Sequence, residues 1–65
     1  MRFNITGVSA KDGVYVFNMQ TSYVPRQNEE LEIEGYIYVV KYVRYSLSHG
    51  SFDMLNVQIG LDRIK

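Results

Sequence analysis

Sixty-five residues without a cysteine are expected to form one domain that neither disulfides nor thiolate zinc can brace, and a chain this short buries only roughly 60% of the surface its unfolded form exposes. The single histidine, His49, cannot build a histidine cluster, so no structural metal and no cofactor are expected, and self-association is the support that the composition leaves open. Seven Lys and Arg balance seven Asp and Glu, which argues against a protein that holds duplex nucleic acid mainly by neutralising phosphates.

The opening Met1-Arg2-Phe3-Asn4-Ile5-Thr6 lacks the long apolar run of a secretory signal, and no stretch approaches the length of a transmembrane helix. The expectation is a cytoplasmic chain with no membrane contact. No segment sustains a helical period of apolar residues with caps, whereas β-branched and aromatic residues recur in runs separated by turn residues. The first predicted strand is Arg2 to Val8, with Phe3 and Ile5 on one side and Gly7 marking a bulge or bend. Lys11-Asp12-Gly13 supplies a turn. A second strand runs from about Val14 to Tyr23, with Tyr15, Phe17, Met19 and Tyr23 on one face.

Val24-Pro25-Arg26-Gln27-Asn28 interrupts the pattern, because Pro25 has no backbone donor and holds Val24 extended; the main loop belongs here. Leu31 and Ile33 alternate with Glu32 and Glu34 in a short strand with one buried and one wet face. Glu34-Gly35 then permits a tight hairpin. In the following strand, Tyr36 to Leu47, a two-residue period puts Ile37, Val39, Val43 and Leu47 on one face with Lys41 and Tyr45, and Tyr36, Tyr38, Val40, Tyr42 and Arg44 on the other. Ser48-His49-Gly50-Ser51 makes the next turn. In the last strand, Phe52 to about Leu61, Leu55, Val57, Ile59 and Leu61 alternate with Met54, Asn56, Gln58 and Gly60. The predicted fold is all-β: a small five-stranded antiparallel meander forming a strongly bent sheet, or an SH3-like or OB-like barrel, that self-associates.

Tyr36, Tyr38, Tyr42 and Arg44 are the first candidate binding group, a platform on which planar groups stack while the guanidinium takes a phosphate. The alternative is that these tyrosines fill a core or a subunit interface. Arg26, on the irregular Pro25 segment, is the best single candidate for an anion or partner contact. His49 with its serine neighbours has the composition of an ordinary turn and lacks a spaced catalytic partner. Glu29, Glu30, Glu32 and Glu34 form an acidic block without a cation-loop pattern, which suits a solvated edge that discourages aggregation.

No nucleophile, base or metal constellation is present, so the expected function is non-catalytic. The leading expectation is a homo-oligomeric interaction protein that engages another macromolecule, a protein partner first, through the Tyr/Arg face or the Pro25 loop. A phage-type inhibitor of a host or defence factor fits that size and composition. The alternatives are a protein that sequesters a nucleotide-like small molecule in pockets between subunits, and a single-stranded nucleic-acid binder.

Overall fold

The computed structural model describes residues 2–46 and 54–65. The expected turn with His49, the residues Leu47 and Asp53, and the start of the last strand at Phe52 lie outside the described residues. Five strands follow in chain order: β1 (Arg2–Ser9), β2 (Tyr15–Thr21), β3 (Glu30–Ile33), β4 (Tyr36–Ser46) and β5 (Met54–Arg63). They form one strongly curled sheet, a half-barrel, with no helix among the described residues.

Local chemistry sets the turns where the sequence indicates them. After β1, Val14 N–H donates to Asp12 Oδ1 at 3.1 Å while Gly13 takes a φ of 76°, and Gly13 N–H donates to the Ser9 carbonyl at 2.8 Å. The side chain of Asp12 thereby does the work of an Asx-turn. Between β3 and β4, Glu34 and Gly35 both have positive φ, 51° and 88°. This is the combination that a two-residue hairpin turn with the right twist requires.

The strand order corrects the expected meander. It is β2-β1-β5-β4-β3, and β1 runs parallel to β5 while every other pairing is antiparallel. Three strand pairs close between neighbours in sequence, as a meander demands, but the chain does not turn back after β2. Pro25 and its flanking residues instead carry it across the concave side to the far edge of the sheet, where β3 begins. The two strands with the most regular apolar alternation therefore sit at the centre, each flanked by strands on both sides.

Ile5, Val40, Val57, Ile59 and Leu61 make the buried core, and Phe3, Phe17, Val24, Leu31, Tyr38 and Val43 are among the side chains packed on it. All of these strand residues face the concave side of the sheet. The convex side is polar over its middle. Cross-strand register aligns Asn18, Thr6, Gln58 and Arg44 in one row across β2, β1, β5 and β4, and Gln20, Asn4, Asn56 and Ser46 in the next. Asn18 Nδ2 donates to Asn4 Oδ1 at 3.0 Å and to Thr6 Oγ1 at 3.1 Å, and Asn4 Nδ2 donates to Asn56 Oδ1 at 3.0 Å.

Two bulges reverse the faces of parts of strands. Val40 pairs with Leu61 and Tyr42 with Gly60, so Lys41 is an extra residue in β4. Similarly, Gly7 pairs with Phe17 and Val8 with Tyr15, leaving Val16 extra in β2. A residue inserted into a period-two strand moves all that follows to the other face. Tyr15 is therefore separated from Phe17 and Met19, contrary to the uninterrupted alternation expected for this strand.

Candidate functional site: the open seam of the half-barrel

The bulge at Lys41 divides the predicted tyrosine platform. Tyr36 and Tyr38 pair with Ile33 and Leu31 on the concave side, whereas Tyr42 and Arg44 pair with Gly60 and Gln58 on the convex side. They do not form one surface. The concave pair lies near the end of β5, where the Arg63 guanidinium stands 3.9 Å from the centre of the Tyr36 ring. On the convex pair, the Arg44 guanidinium is 5.3 Å from the Tyr42 ring centre, and Gln58 Nε2 donates to the Tyr42 hydroxyl at 3.0 Å. Each pair is a cation beside an aromatic face, but on opposite sides of the sheet. Lys41, the only basic residue placed on the expected aliphatic face, was the sequence's one trace of the reversal.

Arg26 lies in the crossing segment, and that segment is well organised. The Glu29 carboxylate is its anchor: Arg26 N–H and the Tyr23 hydroxyl both donate to Glu29 Oε1, at 2.7 and 2.6 Å. Glu29 N–H donates back to the Arg26 carbonyl at 3.1 Å, and Asn28 takes a φ of 76°. Positive φ at this third position of a four-residue turn is tolerated by Asn better than by most side chains. The ladder beside β4 begins at once, with Asn28 N–H on the Val40 carbonyl at 2.7 Å and Val40 N–H on that of Glu29 at 2.9 Å. These bonds place the carboxyl of Glu29 below the usual carboxylate range, first through the Arg26 amide and then through Tyr23, and they push the Tyr23 phenol up. Glu29 thus belongs to the loop, while Glu30 and Glu32 stay exposed on β3 as an acidic edge.

The crossing segment separates two clefts on the concave side. One, of about 510 Å³, lies between the segment and β4, with Phe3, Val24, Val43 and Tyr45 in its lining and Arg26 at its rim. The other, of about 290 Å³, lies between the two edges of the sheet. Its floor is Ile5, its β2 wall is Phe17 and Met19, its β3 wall is Leu31 and Ile33, and Pro25 closes one end.

This second cleft is the seam at which a full barrel would close. No Cα of β2 comes within 8 Å of one of β3, so the edges are too far apart to pair directly. Inserting one strand needs two spacings of roughly 4.8 Å each. Among the described residues the outer edges of β2 and β3 have no neighbouring strand in the sheet, so each retains outward-pointing backbone donors and acceptors. Phe17 and Met19 were legible as one face of a strand, but nothing local showed that β3 would stand opposite them.

Among the described residues no three His, Cys, Asp or Glu side chains gather as a metal site, and no helix is long and apolar enough to cross a membrane. Comparison with protein-family models, curated proteins and solved structures finds no match to the chain.

Proposed function

We propose that this chain is a non-catalytic interaction module that captures an extended polypeptide segment in the open seam of its half-barrel. The carrying observation is the apolar cleft between two unpaired strand edges, β2 and β3. An entering strand gains main-chain hydrogen bonds from an edge, and its alternate side chains fill the cleft, which is recognition by strand addition. The seam replaces the tyrosine platform as the main binding surface. Arg26 and the Tyr42–Arg44 pair are left as outer contacts, and inhibition of another protein by occupying one of its strands is a role open to such a module. A cysteine-free chain of this kind suits the reducing cytoplasm.

Panning a random peptide library against the protein tests this function. Enriched peptides should bind the parent protein and lose about tenfold or more in affinity, roughly 1.4 kcal/mol, on Met19→Asp or Leu31→Asp. Gln20→Ala on the convex side should leave binding unchanged. Met19 is half exposed, so its variant is expected to fold, with circular dichroism as the check. Peptides indifferent to both cleft substitutions would remove the seam as the site.

A second reading rests on the convex face, where Tyr42 and Arg44 adjoin two rows of amide and hydroxyl side chains without a carboxylate among them. That surface suits a single-stranded nucleic acid or a nucleotide-like ligand. Oligonucleotide affinity that falls with salt and with Arg44→Ala supports it, and undetectable or salt-independent binding discards it.

A further inference from the structure

We propose that the segment taken into the seam is a basic amphipathic strand, with apolar side chains at every second position and Lys or Arg between them. This inference rests on the seam being a peptide site and adds the chemistry of its occupant. Register sets the pattern. Leu31 and Ile33 share the concave face with Tyr38 and Tyr36, while Glu30 and Glu32 share the convex face with Val39 and Ile37.

A strand added to the free edge of β3 continues this alternation. Its residues opposite Leu31 and Ile33 point into the cleft, toward Phe17 and Met19. Those opposite Glu30 and Glu32 point outward, and there each glutamate has an aliphatic partner, Val39 or Ile37, on its β4 side. The new strand is thus the neighbour from which these carboxylates can gain a cross-strand cation. On the β2 side of the seam, the convex residues Asn18 and Gln20 are uncharged and impose no competing sign. An acidic strand, or the β3 edge of a second copy, would instead set like charges directly opposite, which is unfavourable.

The test uses short labelled peptides in which Ile and Val alternate with Lys, with Ser or with Glu, together with a Lys peptide N-methylated at alternate backbone amides. Anisotropy reports binding to the full chain, and sedimentation velocity reports its subunit number. The Lys peptide is expected to bind severalfold or more tightly than the Ser peptide and the Glu peptide least. N-methylation of the amides facing β3 should abolish binding. E30K with E32K should reverse the preference between Lys and Glu peptides, and added salt should weaken the Lys peptide alone. Equal binding of all three peptides, still lost in Met19→Asp, overturns the charge assignment while leaving the seam as a peptide site. Binding of none, or binding insensitive to Met19→Asp, overturns both. A dimer that admits peptide only when diluted to monomer shows that a second copy is the occupant and overturns the basic-strand assignment.

Discussion

At the scale of single residues, two glycines in the sheet interior carry aromatic rings on opposite faces. On the concave side, a Cβ on Gly7 would overlap the Phe17 ring and lie 2.9 Å from Leu61 Cδ1. On the convex side, a Cβ on Gly60 would overlap the Tyr42 ring. The outcomes of the two alanine substitutions should differ, because a Cβ on Gly7 also meets Leu61, which is buried in the core, whereas the nearest atoms to a Cβ on Gly60 all belong to the half-buried Tyr42 ring. Gly7→Ala is expected to cost about 2 kcal/mol by urea denaturation, as overpacking does. Gly60→Ala should cost less than about 1 kcal/mol, since Ala also regains some strand propensity, and the cost should vanish in a Tyr42→Ala background. A neutral Gly7→Ala would mean that the Phe17 ring does not lie over that backbone. Gly7 was recognisable in the sequence as a bend or bulge, whereas Gly60 read only as a position on the face opposite Leu55, Val57, Ile59 and Leu61. An aromatic ring resting on a distant strand leaves no local pattern.

The bulge at Lys41 decides what β4 presents. Deleting Lys41 forces either Tyr36 to Val40 or the residues after it onto the wrong face, and one choice exposes the fully buried Val40. The deletion should abolish a cooperative thermal transition, while Lys41→Ala, which keeps the extra residue, should melt close to the parent. A deletion variant with unchanged melting would refute the assigned register. This is also where the sequence misled most: alternation is reliable within Tyr36 to Val40 and again after Lys41, but one inserted residue joins two correct halves into a wrong whole.

The crossing segment has a pH dependence of its own. Glu29 has a lowered pKa in the folded state, so its contribution is present above the ordinary carboxylate range and is lost as pH falls through the lowered value. Tyr23 has a raised pKa, so its contribution is complete below the ordinary phenol range and is lost as pH rises through the raised one. Protection of the Arg26 amide, corrected for intrinsic exchange, should therefore decline at both extremes. Glu29→Gln should abolish the acid decline. Persistence of that decline in the variant would assign it to another group.

For the whole molecule, the turns at Asp12-Gly13 and Glu34-Gly35, the five strands, the bent sheet and the apolar faces of β1 and β5 were legible, because each depends on neighbours in sequence. Strand order was not. Leu31 and Ile33 announced a buried face and Phe17 and Met19 one face of a strand, but their meeting across a gap depends on where the Pro25 segment delivers the chain. The incomplete barrel explains the 51% exposure of Met19, and the bulge in β2 the 63% exposure of Tyr15. Met19 borders the seam directly, while the bulge at Val16 turns Tyr15 to the convex side.

The parallel pairing of β1 with β5 has a consequence for how the chain is made. Asn4 and Asn56, bonded side by side, are separated by 52 positions in sequence. During synthesis the β1–β2 hairpin is made well before its principal partner β5, so Phe3, Ile5 and Phe17 stay uncovered while the intervening strands are translated. The core therefore closes only once β5 is available, and the long loop closure that this parallel pairing demands slows folding. Until then, the nascent hairpin is a client for any chaperone that binds apolar strands near the exit tunnel.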